Sequence, residues 1–527
     1  MDNNLNEFKE HYNNFTETIK NQKEKNKLPI FKKRFRAYSP NQITFFTFDP
    51  LKTFPMGCFE RFIVETIKNI DISDFEKREK CDLGGPDEIN PKAILGIIFY
   101  GESDGVFSSR DLETLSQFDQ RYMFIGGGET PDHSTIARFI NKYENEIINV
   151  FIQILYIANN MGYVDYKKLV TDGSKFKAYA SEKFTGTLED FRKRKGKLEE
   201  KIILAIEKQK KTDKEEERKY WKNKEDRHKN DLEKIDNFLK DAKEIYNKNK
   251  KESKQNITDN DCRIMKMNNS GFSEAYNAQI TACEKNGIIT SCDVTNQAND
   301  YEMVENMIER TEELAPLDKK EKVKEAKQLF DNGYYTIDNL KYCNKNNIDA
   351  YIPNGQDKHI FQDKEYNHSG KKKLTGRDCR IEKIDNKLKV NCPKGHELEF
   401  LKKYKNGDDY SNFYRIKNKK DCKTCEYNSI CLRDCDTHKV FSIGSKLIDN
   451  FDIIKNMYEK LRSDEGKIIY SRRMPTIEKI FGHIKKNLGL QGFTVIGLEK
   501  IRAHWTIICT VYNLKRIFNL GIQSTVM

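Results

Sequence analysis

Residues 275–296, AYNAQITACEKNGIITSCDVTN, decide the fold. Two runs rich in Ile, Thr, Val and Ala flank Lys285-Asn286-Gly287, a turn chemistry that predicts two antiparallel strands. Upstream, in LVTDGSKFKAYAS (169–181), Leu169-Val170-Thr171 predicts a strand closed by the turn Asp172-Gly173. Downstream, DYEMVENMIERTEEL (300–314) predicts a helix and EAKQLFDNGYY (325–335) a strand ending at Asp331. DNLKYCNKNN (338–347) then predicts a helix, and IDAYIPN (348–354) a last strand. A β-β-β-α-β-α-β order of this kind predicts a mixed α/β sheet.

The order is interrupted once, between the first strand and the hairpin. In residues 184–260, 41 of 77 positions are charged, 23 Lys or Arg and 18 Asp or Glu, with sparse apolar residues such as Leu232, Ile235 and Leu239. That composition predicts a solvated helical pair or coiled-coil arm inserted into the sheet domain. Residues 38–160 read as helical. Pro40, Pro50 and Pro55 punctuate their start, Pro91 to Tyr100 is apolar, and Ser108 opens a capped helix. After Gly126-Gly127-Gly128, Pro131-Asp132-His133-Ser134-Thr135 starts another helix running to about Asn159. Near the end, PTIEKIFGHIKKNL (475–488) places Ile477, Ile480, Phe481, Ile484 and Leu488 on one helical face. A final amphipathic helix carries Ile501, Trp505, Ile508 and Tyr512.

Composition narrows the function. The 94 basic and 82 acidic residues leave a net charge of +12, which allows a polyanionic partner. With 31 Phe and 25 Tyr among 527 residues the chain can bury a core, so global disorder is not expected. The start, MDNNLNEFKEHYNNF, is polar and acidic and does not fit a signal or transit peptide. The longest apolar run, from Ile147 to Ala158, falls short of the roughly 18 residues a membrane span needs, so no membrane role is expected. Thirteen cysteines without a secretory signal read as reduced thiols or metal ligands.

Asp172 and Asp331 stand at strand ends, each followed closely by Gly. Two such carboxylates on neighbouring strands, joined by a third from a helix, make an oxygen-rich site for a hard divalent cation such as Mg²⁺. Glu478 is the helix candidate, because it borders the apolar stripe that faces the sheet. Lys485 lies about two turns along the same helix, and Tyr470 and Arg473 upstream offer a phenol and a guanidinium suited to phosphate. Asp293, mid-strand, is an alternate third carboxylate, and Asp300 reads as the N-cap of the helix it precedes.

These strings resemble the DDE transposases of bacterial insertion sequences over roughly residues 38–180 and 262–515. YSPNQITFFTFDPLKTFP, IIFYGESDGVFSSRDLE and PDHSTIARF resemble the helical part that precedes the catalytic core. VTDGSKFKAYAS and LFDNGYYTIDNL resemble the blocks around the first and second catalytic Asp, here Asp172 and Asp331. Tyr470-x2-Arg473-x4-Glu478-x6-Lys485 resembles the Tyr-Arg-Glu-Lys signature of the third acidic residue, with one residue more than usual between Arg and Glu. The resemblance implies a ribonuclease H-like fold. Residues 1–37 would be a basic, polar arm and 38–160 a helical DNA-binding domain. Residues 161–527 would be the catalytic domain, interrupted at 184–260 and 374–440. It further implies cleavage and joining of phosphodiester bonds at the element's ends, using two Mg²⁺ or Mn²⁺ ions about 4 Å apart held by Asp172, Asp331 and Glu478. Tyr470, Arg473 and Lys485 would contact DNA phosphate. The implied partners are double-stranded DNA, as terminal inverted repeats and as target, and at least a second copy of the chain, in the bacterial cytoplasm at the nucleoid. A nuclease that cuts without joining, or a non-catalytic DNA binder on the same scaffold, are the alternative readings.

Two features stand apart from that core. Cys392, Cys422, Cys425 and Cys431 have a spacing that can supply a structural Zn²⁺, with His396, Cys435 and His438 as substitutes. The basic runs Phe31 to Arg36, Lys371 to Lys373 and Lys417 to Lys420 are candidate DNA contacts.

Overall fold

The computed structural model describes residues 37–39, 49–75, 88–246, 250–267, 271–355, 357–361, 373–385, 387–407, 409–433 and 436–526. The expected N-terminal arm through Arg36, the run at Lys371 and Lys372, and Cys435 lie outside them.

The N-terminal third is helical. Its main helices are α1 (Phe59–Asn69), α2 (Pro91–Ser103), α3 (Ser109–Phe118), α4 (His133–Lys142) and α5 (Glu144–Asn160). Three of them start where local chemistry dictates. Asn90 accepts from the Lys92 amide ahead of Pro91, Ser108 from Asp111, and Asp132 from Thr135. Their apolar faces do not form a separate core. Ile97, Ile98, Ile147, Phe151 and Ile154 belong to one continuous buried cluster with Leu169 and Val170 of the sheet and Trp505, Ile508 and Leu514 of the C-terminal helix. No described helix is long and apolar enough to cross a membrane.

The sheet follows the expected order, with one correction. Strand β1 runs Lys168–Lys177, straight through Asp172-Gly173, where a turn was expected. The reason is non-local: every residue from Leu169 to Lys177 pairs antiparallel with the long strand β5. The short strands β2 (Thr185–Gly186) and β3 (Gln255–Asn256) pair at the neck of the charged arm. The arm itself is two helices, α6 (Leu188–Lys211) and α7 (Glu215–Asp241), around a small core of Leu188, Phe191 and Ile235. Strands β4 (Arg263–Met267) and β6 (Ile289–Thr295) both pair antiparallel with β5 (Gly271–Cys283), β4 on its first half and β6 on its second. Helix α8 (Met303–Leu314) crosses to β7 (Lys327–Leu329), and α9 (Ile337–Lys345) to β8 (Ala350–Tyr351). β7 is parallel to β1 but pairs only with residues 168–170, so the β1 edge beyond Val170 carries no β7 partner. β8 is parallel to β7.

The Cys-rich insertion is built on a sheet. Strands β9 (Arg380–Ile384), β10 (Lys387–Asn391), β11 (Glu397–Asn406), β12 (Asp409–Ile416) and β13 (Val440–Gly444) form an antiparallel five-stranded meander. Ile381, Val390, Leu398, Tyr414, Phe441 and Ile443 are its buried face. The chain then returns through α10 (Phe451–Arg462), α11 (Asp464–Ser471) and α12 (Arg473–Gly482), and a π-helical turn at His483–Asn487 follows α12. It ends in α13 (Leu498–Val526), which is buried on nearly every side from Ile501 to Leu514.

Candidate active site

The part of β1 beyond its β7 pairing carries the chemistry. Asp172 projects there, its Oδ1 accepting the Gly173 amide at 2.9 Å. Asp331 lies two residues past the end of β7, its Oδ1 accepting the Gly333 amide at 2.7 Å. Arg473, on the first turn of α12, joins them: its Nη2 is 2.9 Å from Asp172 Oδ2 and 3.9 Å from Asp331 Oδ2. Burial pushes the Asp172 carboxyl up to about 7, the Arg473 guanidinium opposing that rise and Asp331 adding to it. Asp331, more exposed, is also raised by burial, again against Arg473.

The other residues of the C-terminal signature sit around this pair in different ways. The Tyr470 hydroxyl donates to the Phe330 carbonyl at 3.1 Å and so fixes the backbone one residue before Asp331. Burial raises its own pKa to about 12. Lys485 donates to Ser174 Oγ at 2.6 Å and lies over the Phe176 ring, so it clamps the turn after α12 onto β1. Burial lowers its pKa. Glu478 is exposed on α12. Five residues beyond Arg473, it is turned about 140° from it at 100° per residue. Of the expected triad, the structure joins Asp172 and Asp331 through Arg473. It leaves Glu478 on the flanking helix, outside that ion pair.

Asp300 was expected to cap a helix and does something else. The α8 N-cap position is Glu302. The Asp300 Oδ1 instead accepts from Asn277 Nδ2 and Gln279 Nε2, both at 2.7 Å. Its charge reaches both Asp172 and Asp331, raising each. Gln279, fully buried, also accepts from the Tyr334 hydroxyl. Asn277, Gln279 and Tyr334 were not among the expected site residues. A signal was present: Asn277, Gln279 and Thr281 place polar groups at every second position of an otherwise apolar strand. Gly173 faces Gln279 across the strands, and a Cβ there would stand 2.1 Å from Gln279 Nε2 and 2.8 Å from Asp300 Oδ1. The glycine serves close approach, not a turn. Asp293, the alternate third carboxylate, is paired with Arg502 Nε at 3.0 Å.

The donor set suits a hard divalent cation. Two carboxylates, one of them deeply buried, share a single guanidinium, and burial raises the Asp172 carboxyl despite that guanidinium. Among the described residues no group of three or more His, Cys, Asp or Glu is already gathered as a metal cage. That holds for the carboxylates and for the cysteines alike. Cys392, Cys422, Cys425 and Cys431 nevertheless line one cavity of about 30 Å³, together with His396. Burial raises the Cys392 thiol, while the backbone amides of Lys394, His396 and Gly395 favour its thiolate. His438 is absent from that lining and instead contacts Thr437 at 2.9 Å. Residues 417–420 are exposed at the rim of the small sheet.

Two family models match the chain. One, described as a transposase DDE domain, covers residues 391–518 and so includes β11 to β13 of the Cys-rich sheet and α12. The other, described as a transposase domain of the class DUF772, covers residues 49–142 of the helical third. Asp172 and Asp331 lie outside both matches. No curated protein matches, and no solved structure matches.

Proposed function

Because the chain is a DDE transposase of the insertion-sequence type, we propose that it cleaves and joins phosphodiester bonds at the ends of its element, with Asp172, Asp331 and Glu478 as the acidic triad. The observation that carries this reading is the Asp172–Arg473–Asp331 arrangement just past the point where β7 stops pairing with β1. The order β6-β5-β1-β7-β8, with the first Asp on the central strand and the second just past its parallel neighbour, supports a ribonuclease H-like core. Asp172 and Asp331 would hold divalent cations, with Glu478 on the flanking helix as the third acid. Such ions, when bound, activate the attacking oxygen and stabilise the leaving oxygen of an in-line displacement at phosphorus.

The chain's own residues set the stage for that chemistry. Arg473 keeps two mutually repelling carboxylates together, and its position makes it the guanidinium nearest a phosphate entering the cleft. Tyr470 holds the backbone that carries Asp331, and Lys485 holds α12 against β1. Both border the path of a DNA strand and supply phosphate contacts that fix register without reading sequence. The exposed lysines at 417, 419 and 420 would add phosphate contacts on the small sheet. Joining two ends requires two active sites, so the working complex contains at least two copies of the chain. The four thiols around one cavity support a structural Zn²⁺ bracing the small sheet.

The test uses a labelled duplex carrying the element's terminal inverted repeat, with Mg²⁺. Wild type is compared with Asp172→Ala, Asp331→Ala and Glu478→Ala. Cleavage and strand transfer by wild type, both lost in all three variants while DNA binding survives, is the expected result. Cleavage without joining would make the protein a nuclease, and binding without cleavage a DNA-binding protein. Activity surviving in Glu478→Ala alone would remove Glu478 from the triad.

A further inference from the structure

We infer that Asp300 is a further acidic residue of this active site, presenting its Oδ2 to the divalent cation that Asp172 and Asp331 bind. The inference rests on the reading of those two residues as cation ligands. It begins with a strand whose polar residues are out of place. Asn277 and Gln279 are buried on β5 and point the same way, two residues apart. Their side-chain amides both donate to Asp300 Oδ1, which fixes the orientation of the carboxylate. Gln279 sits opposite Gly173 in the β1–β5 register, so the missing side chain at 173 lets Asp300 approach the strand next to Asp172. The other face of the same amide accepts from Tyr334, three residues beyond Asp331. One buried network therefore braces both backbone segments that carry the two aspartates.

The second oxygen is what this bracing leaves over. Asp300 Oδ2 and Asp331 Oδ1 lie 3.1 and 2.9 Å from one point, the place a Cβ would take on Gly333. They are therefore within about 6 Å of each other, two anionic groups crowding a glycine. Arg473 pairs with Asp172 and Asp331, and among the described residues Asp300 has no ion pair of its own. The Arg473 side chain is nine-tenths buried with its Nε unpartnered, so one guanidinium answers Asp172 and Asp331 while the charge of Asp300 acts on both of them. A brace for two amides needs only a carbonyl oxygen, which a neutral Asn would supply. A full negative charge beside two others costs folding energy unless a cation answers it.

The experiment measures Mn²⁺ binding to the full-length protein by the electron paramagnetic resonance of the free ion, for wild type, Asp300→Asn and Asp172→Asn. Asp300→Asn keeps the shape and the bond-accepting oxygen, so its thermal midpoint serves as the control for folding. The expected result is a Kd for Mn²⁺ about tenfold weaker in Asp300→Asn than in wild type. A second variant, Asp300→Cys, is expected to lose cleavage in Mg²⁺ and regain it in Mn²⁺, a rescue that a purely structural role would not allow. Wild-type Mn²⁺ affinity in Asp300→Asn, with binding lost in Asp172→Asn, would overturn this inference and leave the active site where it is. Unchanged affinity in both variants would overturn the active-site reading and this inference with it.

Discussion

Replacing Asp172 by Asn should make the metal-free protein more stable at pH 8, even though it removes a proposed cation ligand. In the folded chain the carboxyl stands at about 7 against an ordinary 3.8. The folded state therefore holds that proton more tightly than the unfolded state does. Stability from this group is complete below about pH 4 and is lost as pH rises through 7. At about 1.4 kcal/mol per pH unit the full loss is about 4 kcal/mol. Asn resembles the protonated carboxyl and has nothing to lose. The favourable pull of Arg473 is already included, because it acts on the same carboxyl. The variant should thus exceed wild type by about 4 kcal/mol at pH 8, narrowing to about 2 kcal/mol at pH 5. For one core that joins the helical third to the sheet, on the order of 450 residues, that is roughly 4 °C in Tm at pH 8. Calorimetry in EDTA at pH 5, 6, 7 and 8 reads the gap directly, and other titrating groups cancel in the difference. Adding Mn²⁺ at pH 8 should raise the Tm of wild type and leave that of the variant unmoved. A variant less stable than wild type at pH 8, or a gap that does not change with pH, would refute the argument.

Gly173→Ala should cost about 1–3 kcal/mol by overpacking, because its Cβ would press on a Gln279 amide tied at both ends; a melting curve matching wild type would count against the network. Protein purified without chelators should carry one zinc per chain by atomic absorption, and Cys425→Ser should lose it; no zinc in wild type would leave the four thiols simply reduced. Replacing residues 187–254 by a two-residue Gly-containing hairpin should leave the Tm of the rest within about 2 °C, since the neck strands already pair antiparallel at Gly186 and Gln255. A collapse of the sheet on that deletion would show that the charged arm is part of the core.

The strand order was legible because each element carries its own signal. Lys285-Asn286-Gly287 is a turn wherever it falls, and the apolar spacing of α8 and α9 is helical without help. β1 was legible only as far as Thr171. Past that point the residues DGSK read locally as a turn, and only pairing with β5, a hundred residues on, extends them. The five-stranded insertion escaped for a different reason. In ELEFLKKYKN only Leu398 is buried while Phe400, Leu401 and Tyr404 are exposed, so that strand carries no alternation to read. Of the site, Asp172, Asp331, Tyr470, Arg473 and Lys485 were named from the sequence. Asn277, Gln279, Tyr334 and the true role of Asp300 were not.

The chain's residues settle their chemistry in advance: which groups are acids, which guanidinium can bridge them, where a strand lacks a side chain. What they leave open is which of those groups meet. Arg473 finds Asp172 because α12 packs on the flank of β1, and Asp300 reaches the same edge because β5 turns two amides toward it. Glu478 stays on the outer side of its helix in the structure, although its motif is the most specific in the chain. Spacing along a helix sets direction only to within its own axis, whereas the packing of that helix on the sheet decides what the direction faces.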